Sequence, residues 1–578
     1  MNHPTRTLLR ERPVDAQVID RLRASGIHPV LARIYAGRGI QHPDQIDTGL
    51  AGLIAPQRMA HIREAAEMLA EAIRERRHLL VVADFDADGA TACAVALRGL
   101  RRFGADVDFL VPDRFVFGYG LTPALIDHAV TCHVERPVDM IITVDNGISS
   151  IAGVERANQL GIRVLITDHH LPGRQLPAAL IVNPNLPNCG FPSKHLAGVG
   201  VMFYVLMALR AHLRDVEGWP AEQIPRLDDL LPIVALGTVA DVVRLDANNR
   251  RLVAQGLARI RRGTAPAGLQ ALFQVARIDI RQANATHFGF AIGPRINAAG
   301  RLSDMSVGIR CLLEDDHQPA LDLARQLDEL NRERRSIEAD AREQAAAQAA
   351  ALLAEQQTDQ DRIGLVLHAP TWHQGVIGLV AGRLKESLYR PVIVFTDDGD
   401  SGRIKGSCRS IPGIHIRDVL ERVDTRHPGM ILAFGGHAMA AGLTLQGDRL
   451  GHFREAFEEA LRDFADPADL ENVTDTDGPL QPAEMQLDTA RLLTGEVWGQ
   501  GFPPPLFRNT FRVLNQRQLQ ERHLKLVLAP TDAATMRLDA IWFNGPPDIG
   551  SHAELLYRLA VNEWDGRSTI QLEIIGRA

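Results

Sequence analysis

Three aspartates stand within five residues in the stretch VVADFDADGATA, residues 81 to 92. An apolar run leads into Asp84, Asp86 and Asp88, and Gly89 follows directly. Carboxylates this close together raise one another's pKa, and burying one of them without a partner is costly. Divalent cations remove both penalties, so this spacing predicts a metal site at the end of a buried strand.

Three further segments place similar side chains after an apolar run. IITV precedes Asp145, VLIT precedes Asp168-His169-His170, and LGTVA precedes Asp241. We interpret these runs as strands of one parallel sheet, because ligands bind at the carboxyl ends of such strands. Each aspartate alone is equally explained as the N-cap of a following helix. The four segments together favour one shared site.

The side chains in this set indicate which ions would bind. Carboxylates with one or two imidazoles suit Mn²⁺, Mg²⁺ or Zn²⁺, whereas five scattered cysteines without a CxxC pair argue against a structural zinc site. Six or more ligands leave room for two ions about 3.5–4 Å apart, which activate water and stabilise charge on a phosphoryl group. Neighbours on an extended chain point to opposite faces, so we expect His169 to bind metal and His170 to lie behind it or to face the substrate phosphate.

Alternation of short apolar runs with helical patterns, from about residue 51 to 260, is typical of a parallel sheet covered on both faces by helices. We therefore predict an α/β multidomain fold. The later segments lack this pattern: residues 320 to 363 contain neither Gly nor Pro, which predicts a long helix, and the C-terminal strands are short and separated by turns. The predicted segments are a small helical leader (1–50), the parallel-sheet domain (51–318), a connecting helix (319–361), a smaller α/β domain (362–462), an acidic linker (463–479) and a small β-barrel (480–578). The predicted strands of the parallel sheet are HLLVVAD (78–84), VDFLVPD (107–113), DMIITVD (139–145), RVLITDHH (163–170) and LPIVALGTVAD (231–241).

The distribution of charge bears on the substrate. The net charge of −8 argues at first against nucleic acid, but residues 250 to 301 contain nine arginines and one acid, Asp279. That segment carries +8 and the remainder −16. A basic stripe on an acidic protein is the pattern expected for binding a phosphate-bearing polymer; an ordinary solvated surface is the alternative.

The sequence also bears on the compartment. The N-terminal stretch MNHPTRTLLRERPVD has no apolar core of a signal peptide, and no apolar run approaches the ~18 residues of a membrane span. Together with the scattered cysteines, these features predict a cytoplasmic protein with reduced thiols. No GxxxxGK[ST] motif occurs, so we do not expect an ATP-driven activity.

The motifs DFDADG, VDNG and DHH, in this order, resemble the signatures of the DHH phosphoesterase superfamily. Further motifs extend the resemblance over nearly the whole chain, to a bacterial family of exonucleases specific for single-stranded DNA. Asp84 stands where related pyrophosphatases have His, which agrees with the exonucleases, whereas Asp113 stands where that family more often has Asn. The further motifs are PDRFVFGYG (112–120), GTVADVV (237–243), GPRINAAGRLSD (293–304), WHQGVIGLVAGRL (372–384), KGSCRSI (405–411) and GGHAMAAG (435–442).

The resemblance implies roles for individual residues at the sheet. Two metal sites would share Asp145 as a bridging ligand. The residues that would complete the first site are Asp84 and Asp86, and those that would complete the second are Asp88, His169 and Asp241. Asp145, His169, His170 and His437 would be catalytic, and His170 or His437 would stabilise the leaving oxygen.

The resemblance also implies the substrate contacts. Arg114, Arg295 and Arg301 would form a pocket for the 5′-phosphate. In the smaller domain, Ser407 and Arg409 would grip phosphate, and the backbone at Gly435 and Gly436, beside His437, would approach an oxyanion closely. Apart from the resemblance, those glycines are more simply explained as a tight turn and His437 as a structural residue.

The implied function is hydrolysis of single-stranded DNA from its 5′ end, releasing 5′-mononucleotides with two Mn²⁺ or Mg²⁺ ions, in DNA recombination and repair. The barrel would be an OB-fold that holds the strand, with Trp498, Trp542 and Trp564 either stacking on bases or forming its core. A single-strand-binding protein and a helicase would be partners, and we expect a monomer.

Two alternatives remain open at this point. A DHH hydrolase of short substrates, such as nanoRNA, cyclic dinucleotides or pyrophosphate, would have the same sheet site. A DNA-binding scaffold would have lost its metal ligands. The barrel, the basic stripe and the length of the chain favour a polymeric substrate, and the complete set of ligand residues argues against the scaffold.

Overall fold

The computed structural model describes residues 8–114, 116–354, 362–520, 522–564 and 566–578. The chain forms two compact units. The large unit consists of Arg12–Asn331 and Asp477–Ala578, and the small unit of Met1–Glu11 and Arg332–Thr476. The C-terminal segment thus belongs to the same unit as the predicted parallel sheet. The exact domain boundaries given above stay a prediction.

The secondary structure confirms the predicted α/β class. The strands are β1 (Leu8–Glu11), β2 (His78–Ala83), β3 (Asp106–Leu110), β4 (Met140–Val144), β5 (Arg163–Thr167), β6 (Leu180–Val182), β7 (Leu365–His368), β8 (Val392–Asp397), β9 (Arg403–Arg409), β10 (Ile431–Gly436), β11 (Ala440–Gln446), β12 (Val473–Thr476), β13 (Phe507–Leu519), β14 (His523–Pro530), β15 (Leu538–Trp542), β16 (His552–Trp564) and β17 (Arg567–Arg577). The helices are α1 (Ala16–Ala24), α2 (Pro29–Ala36), α3 (Ile62–Arg74), α4 (Ala87–Arg102), α5 (Pro123–Cys132), α6 (Ile151–Gln159), α7 (Gly198–Asp215), α8 (Leu231–Ala240), α9 (Ala247–Arg261), α10 (Ala267–Val275), α11 (Ala285–His287), α12 (Gly293–Leu302), α13 (Ser306–Leu313), α14 (His317–Ala354), α15 (Gln374–Leu388), α16 (Ile416–Arg426), α17 (Leu450–Phe464) and α18 (Leu487–Gly495).

A five-stranded, wholly parallel sheet lies in the large unit, with strand order β3-β2-β4-β5-β6. β2 and β4 are buried along their whole length, as their continuous apolar sequences predict. The chain leaves β2 to one side for β3 and then crosses to the other side for β4. The carboxyl ends of β2 and β4 therefore form the point where strand order reverses, which is where open α/β sheets bind ligands.

One predicted strand is wrong. Residues 231–241, interpreted from the sequence as a strand ending in Asp241, form helix α8, and Asp241 is its C-cap. Nearly every residue of α8 is buried. An apolar run without polar alternation fits a buried helix as well as a buried strand, so periodicity alone does not separate the two.

The C-terminal strands close into a barrel with the order β13-β14-β15-β17-β16, as predicted. A buried ion pair joins the region before the barrel to the N-terminal helices, with Arg38 Nη1 2.6 Å from Asp477 Oδ1. Trp498 stacks on Phe502 at 5.3 Å between ring centroids and donates from Nε1 to Leu493 O at 2.6 Å. Trp498 is therefore a core aromatic, and the side chain of Trp564 lies outside the described residues.

The small unit contains a second five-stranded sheet, with strand order β10-β11-β9-β8-β7. Only the β7–β8 pair in it is parallel. The predicted long helix is present as α14, whose final predicted residues, 355–361, lie outside the described ranges. Strand β12 lies in the predicted linker and pairs in parallel with β1. It was not predicted, because a four-residue strand has too short a pattern.

None of the helices in the described ranges combines the length and the apolar character that crossing a membrane requires.

Candidate active site

The turn between β2 and α4 carries the three aspartates of the DFDADG motif. Asp86 is the N-cap of α4, since its Oδ1 accepts the N–H of Asp88 at 2.9 Å and of Gly89 at 3.0 Å. Asp84 Oδ1 accepts the N–H of Phe85 at 2.8 Å. A carboxylate that accepts backbone N–H groups keeps further lone pairs for a cation. Capping and metal binding are therefore compatible at Asp86.

Two neighbours fix the shape of this turn. A Cβ on Gly89 would lie 2.4 Å from Asp84 O, so only glycine lets α4 start this close to the end of β2. From α12, Asn297 Oδ1 accepts the N–H of Ala87 at 2.9 Å. The turn is held from both its own chain segment and a distant helix.

Asp88 is buried in the first turn of α4 and is held by the start of α7. Its Oδ2 accepts the N–H of Gly198 at 2.6 Å, and its Oδ1 accepts the N–H of Val199 at 3.0 Å. Helix N-termini favour negative charge. A Cβ on Gly198 would lie 2.5 Å from Asp145 Cβ. Close approach of α7 at Gly198 therefore brings the Asp88 and Asp145 carboxylates to one place.

Asp145 follows β4 in a left-handed backbone conformation, with φ of 62°. This conformation is uncommon for residues other than glycine, and it is found preferentially at functional sites. The N–H of Asp145 donates to Thr167 O at 3.0 Å, and Asn146 Nδ2 donates to Val82 O at 3.1 Å and to Val144 O at 2.9 Å. Side-chain and backbone bonds across three strands hold Asp145 in this conformation.

Asp168 is fully buried after β5 and organises the histidine pair. Its Oδ1 accepts the N–H of His169 at 2.7 Å, the N–H of His170 at 3.1 Å and the Nδ1–H of His170 at 2.7 Å. Its Oδ2 accepts the N–H of Ile148 at 2.9 Å. These four bonds make Asp168 a positioning residue for the two imidazoles.

His169 lies among three carboxylates. Its Nε2 is 3.1 Å from Asp145 Oδ1, 3.5 Å from Asp241 Oδ2 and 4.0 Å from Asp88 Oδ2. Asn185 Nδ2 donates to His169 O at 2.5 Å, which fixes the backbone of this residue. The His169 and His170 rings lie 4.5 Å apart between centroids. The two histidines therefore share the site, with His169 at its centre.

The predicted ligands form three overlapping groups, in each of which the candidate ligand atoms lie within 4.8 Å of one another. Asp145 occurs in two of them and is the residue that links the Asp84 side of the site to the His169 side. The assignment of two metal sites that share Asp145, made by resemblance, stays a prediction. The groups are Asp84-Asp86-Asp145, Asp88-His169-Asp241 and Asp145-His169-His170.

The carboxylates are difficult to ionise without a cation. Burial, with the nearby Asp86 charge, raises the pKa of Asp88 to about 7, and the same two causes raise the pKa of Asp84 well above its ordinary value. Burial and the Asp88 charge raise the pKa values of Asp145 and Asp241 likewise. Each of these pKa shifts reflects burial first and repulsion between neighbouring carboxylates second.

Asp168 and His170 behave differently. Burial opposes ionisation of Asp168, but the hydrogen bond and charge of His170 outweigh it and lower the pKa of Asp168. Burial likewise disfavours the charged form of His170, yet the hydrogen bond to Asp168 and the surrounding carboxylates raise the pKa of His170 to about 9. Asp168 and His170 form a charge-assisted pair at the rim of the carboxylate cluster.

Two buried carboxylate oxygens without hydrogen-bond donors indicate whether metal ions fit this cluster. Asp145 Oδ1 and Asp241 Oδ2 accept no hydrogen bond from any residue in the described part of the chain. Buried acceptors are almost always satisfied, and a bound cation is one accepted explanation when no donor satisfies them. Both oxygens face His169 Nε2, and hard carboxylate ligands with one imidazole are the set that Mn²⁺ and Mg²⁺ take. The residues present fit two divalent ions.

Arg114 lies beside the Asp84–Asp86 turn. Its guanidinium carbon is 4.4 Å from the centre of the Phe85 ring, a cation–π distance. Burial lowers the pKa of Arg114, and the charges of Asp84 and Asp86 oppose that shift. Phe115, in the same predicted motif, lies outside the described residues.

Arg295 and Arg301 both lie on α12. Arg295 is buried and donates from Nε to Asp328 Oδ1 at 3.0 Å and from Nη1 to Ala291 O at 2.7 Å. Its guanidinium thus ties α12 to the start of α14. No pattern in the sequence indicated Asp328 as its partner.

Part of the basic stripe is bonded within the protein. At least six of its nine arginines donate hydrogen bonds to protein groups, and three of these, Arg259, Arg281 and Arg295, are paired with aspartates. Arg250, for example, donates to Leu245 O at 2.9 Å and lies 4.2 Å from the centre of the Phe502 ring. The six are Arg250, Arg251, Arg259, Arg261, Arg281 and Arg295.

In the small unit, the predicted phosphate residues lie on β9 and at the end of β10, the two strands that flank β11. Arg409 Nη1 donates to Ser407 Oγ at 3.1 Å, so both side chains of β9 point the same way, as their spacing predicts. Across the sheet, Ser407 pairs with Gly442, and Gly442 pairs with Gly435. A Cβ on Gly435 would meet nothing within 4 Å. Two glycines beside a serine thus leave backbone accessible on this face.

Gly436 has a different role from Gly435. Its φ is 137°, and a Cβ there would lie 2.5 Å from Ala440 O, so Gly436 makes the turn between β10 and β11. The N–H of His437 donates to Ala440 O at 2.8 Å in the same turn. The tight-turn explanation therefore holds for Gly436 but not for Gly435.

The residues that hold the candidate ligands in place were not predicted in these roles. Asn146, Asn185 and Asn297 bond backbone groups near the site. Asn146, Asn297 and Gly89 lie within the quoted motifs VDNG, GPRINAAGRLSD and DFDADG, whereas Asn185 and Gly198 lie outside all of the quoted motifs. Amides that bond distant backbone groups leave no periodic pattern in the sequence. Their roles become visible only in three dimensions.

Carboxylates and an imidazole that converge at the switch point of a parallel sheet, with a second α/β sheet and a closed barrel, define a phosphoesterase of the DHH class. Three family models match the chain: "DHH family, N-terminal domain" over residues 78–238, "DHHA1 domain" over 363–463 and "RecJ OB domain" over 476–576. These matches cover the sheet, the small unit and the barrel in turn.

Relatives that match over the full length of the chain narrow the assignment from the DHH class to one family within it. The chain is 48% identical to the single-stranded-DNA-specific exonuclease RecJ of Escherichia coli strain K12, over 98% of each chain. It resembles the crystal structures of RecJ from Thermus thermophilus in complex with Mn²⁺ (TM-score 0.79, 30% identity) and with Mg²⁺ (TM-score 0.76, 29% identity). The match covers all of this chain and 80% and 79% of those chains, respectively. The chain belongs to the RecJ family.

Proposed function

We propose that this protein is a metal-dependent exonuclease specific for single-stranded DNA, a hydrolase of phosphodiester bonds. The observation that carries the proposal is the convergence of five carboxylates and His169 within overlapping groups at the ends of β2, β4, β5 and α8. A complete cluster argues for catalysis rather than for a DNA-binding scaffold. The full-length similarity to a single-stranded-DNA-specific exonuclease supports this substrate class.

Two divalent ions, Mn²⁺ or Mg²⁺, would be held by two sets of residues that share Asp145. When bound, such ions supply positive charge to a phosphodiester under attack and make water acidic enough to attack at neutral pH. The first set is Asp84, Asp86 and Asp145, and the second is Asp88, Asp145, His169 and Asp241.

His170 is proposed to donate a hydrogen bond to a substrate phosphate. Its Nδ1 is held at 2.7 Å by Asp168 Oδ1, which leaves Nε2 as the nitrogen that can reach a ligand. Tyr119 lies beside the same ring, with its hydroxyl oxygen 3.5 Å from His170 Nδ1. The chain thus fixes the orientation of this imidazole before substrate arrives.

We propose 5′→3′ polarity with release of 5′-mononucleotides. Arg114, Arg295 and Arg301 would form a 5′-phosphate pocket, with Arg114 and Arg301 supplying most of its positive charge. Arg295, already bonded to Asp328, would act mainly by fixing α12. A pocket that accepts a terminal phosphate but not an internal one would explain why cleavage starts at the end of a DNA strand.

The small unit is proposed to bind the DNA backbone. Ser407 and Arg409 present a hydroxyl and a guanidinium side by side, and the backbone at Gly435 is uncovered. These groups suit a phosphate, which accepts hydrogen bonds from both kinds of donor. Gly436 would shape the turn that presents His437, whose catalytic role stays a prediction.

The cellular setting follows from the same proposal. An enzyme that needs free single strands depends on proteins that open and coat DNA, so a helicase and a single-strand-binding protein are the proposed partners. We propose that it acts as a monomer in the cytoplasm, in recombination and repair, with the barrel holding the strand.

The test uses purified protein, Mn²⁺ and oligonucleotides labelled at either end, in single- and double-stranded form, beside a dinucleotide. Asp145→Ala is the inactive control. We expect labelled mononucleotides from the 5′ end of single strands only, and none with Asp145→Ala. Release from the 3′ end would contradict the polarity.

The same assay separates the alternatives. Rapid hydrolysis of the dinucleotide with the long strand untouched would identify a short-substrate hydrolase. Tight binding of DNA without cleavage, together with less than one bound metal ion per chain, would identify a scaffold.

A further inference from the structure

A second cluster of side chains that could bind a metal lies toward the amino end of β2, away from the carboxyl ends of the strands where the candidate active site lies. His78 is the first residue of β2, Asp108 lies in β3, and His133 is the C-cap of α5. One candidate ligand atom from each lies within 4.8 Å of the other two. The six residues of β2 separate this cluster from Asp84, a distance of roughly 20 Å at about 3.3 Å per residue.

Hydrogen bonds fix the same tautomer in both imidazoles. His78 Nδ1 lies 3.1 Å from Arg136 O and 3.2 Å from Pro137 O, and His133 Nδ1 lies 2.8 Å from Ala129 O. A carbonyl oxygen only accepts, so each Nδ1 carries the hydrogen. Each Nε2 is then the nitrogen with a lone pair to offer. Donation of the other ring N–H to a carbonyl is the usual arrangement of a metal-bound histidine.

The third group is a carboxylate that faces the first imidazole. His78 Nε2 lies 3.3 Å from Asp108 Oδ2. Arg136 Nη1 donates to the same oxygen at 3.0 Å, and no hydrogen bond or ion pair in the described part of the chain uses Asp108 Oδ1. Ligating carboxylates are themselves commonly held by such a second bond. Asp108 thus has one oxygen held by arginine and another available.

The three side chains of this cluster differ in burial, so that solvent can reach it from the Asp108 side. The His78 side chain is 4% exposed, whereas that of Asp108 is 44% exposed and His133 is half-buried. A proton on His78 Nε2 would pair with Asp108 alone. A metal ion would satisfy both imidazoles and the carboxylate at once.

We propose that His78, Asp108 and His133 form a distal metal site that binds a divalent transition-metal ion of the zinc class. Two neutral imidazoles and one carboxylate are a ligand set that Zn²⁺ takes, with water as a fourth ligand. The ion would join the start of β2, the middle of β3 and the end of α5. The ion would stabilise the fold, since the cluster is far from the candidate catalytic carboxylates, and it would need none of the thiols whose pattern argued against a cysteine-ligated zinc site.

The test compares zinc bound per chain in the full-length protein and in variants, by mass spectrometry after dialysis against millimolar Mg²⁺. His133→Gln removes one ligand at a half-buried position. His128→Gln is the matched control, because His128 lies on the same helix, is exposed and is not part of the cluster. Asp108→Asn serves as an independent variant, and circular dichroism checks that each protein is folded.

We expect His133→Gln and Asp108→Asn to bind one zinc ion fewer than both the parent protein and His128→Gln. Zinc should raise the melting temperature of the parent and of His128→Gln more than that of His133→Gln. Substituted Co²⁺ should give visible absorption bands of a four-coordinate site that are lost in His133→Gln. Equal zinc content and equal melting shifts in all four proteins would overturn the proposal and leave His78 and Asp108 as an ion pair. Exonuclease activity with Mn²⁺ reports on the other edge of the sheet and is unchanged by His133→Gln.

Discussion

Replacing Asp241 by asparagine separates two effects of the carboxylate cluster: the stability that the folded protein loses through charge repulsion, and the metal binding that the charges allow. Asp241 Oδ2 is buried, accepts no hydrogen bond within the described part of the chain, and lies 3.5 Å from His169 Nε2. Asparagine has nearly the same shape but no charge. We expect Asp241→Asn to stabilise the metal-free protein and to weaken metal binding.

The expected magnitude follows from the spacing of the charges. The candidate ligand atoms of Asp88 and Asp241 lie within 4.8 Å. Two like charges at that separation repel by about 3.5 kcal/mol at an effective dielectric constant of about 20. Metal-free Asp241→Asn should therefore be more stable than the parent by about 2–3 kcal/mol at pH 8.

The sign of the pH dependence distinguishes this effect from better packing. Burial raises the pKa values of Asp88, to about 7, and of Asp241 above their unfolded values. Groups of this kind lose their contribution to stability as the pH rises through the folded pKa. The parent protein without metal should thus be less stable at pH 8 than at pH 6, and the advantage of Asp241→Asn should shrink at pH 6.

Calorimetric unfolding in EDTA and in saturating Mn²⁺, together with exonuclease rates, checks this reasoning. Mn²⁺ should raise the melting temperature of the parent far more than that of Asp241→Asn, and activity should fall by at least on the order of 100-fold. Asp15→Asn is the control, since Asp15 is exposed, caps α1 outside the cluster, and asparagine caps equally well. A metal-free Asp241→Asn that is less stable than the parent at pH 8 would refute the electrostatic argument.

Three further substitutions test the parts that hold the site. Asp168→Asn should lower the exonuclease rate about 10- to 100-fold while leaving two metal ions bound, because Asp168 orients the histidines from behind; metal analysis beside kinetics checks both. Gly89→Ala should destabilise the protein by about 1–3 kcal/mol, as its Cβ would lie 2.4 Å from Asp84 O; thermal unfolding measures this, and an unchanged melting temperature would contradict it. Gly435→Ala should leave the melting temperature unchanged, since its Cβ meets open space, but should raise KM for single-stranded DNA; an unaltered KM would remove this strand from the proposed phosphate contacts.

The sequence was sufficient to predict the parallel sheet and the identity of its candidate ligands. Buried strands such as β2 and β4 are continuous apolar runs, and each ends in an aspartate at the same sheet edge. The barrel was predictable because its strands are separated by clear turns. In both cases local sequence pattern and global topology agree.

The element that carries Asp241 was predicted wrongly, although its position in the site was predicted correctly. Helix α8 and a buried strand share an apolar sequence, and both end where a polar side chain reaches the sheet edge. The choice between them depends on packing against α4, α7 and α9, which the local sequence does not record. A candidate ligand can therefore be placed in the cluster from its residue type and position while its supporting element is misassigned.

Capping and metal binding, which the sequence offered as alternatives for the aspartates, are compatible at Asp86. Its Oδ1 accepts two N–H groups at the start of α4, which fixes the carboxylate in one orientation. A carboxylate fixed in this way loses little rotational freedom when a cation binds, so the helix end prepares the ligand. The spacing of the DFDADG motif has a single physical cause: the residue that starts the helix also places the aspartates on either side of it, Asp84 and Asp88, around the same space.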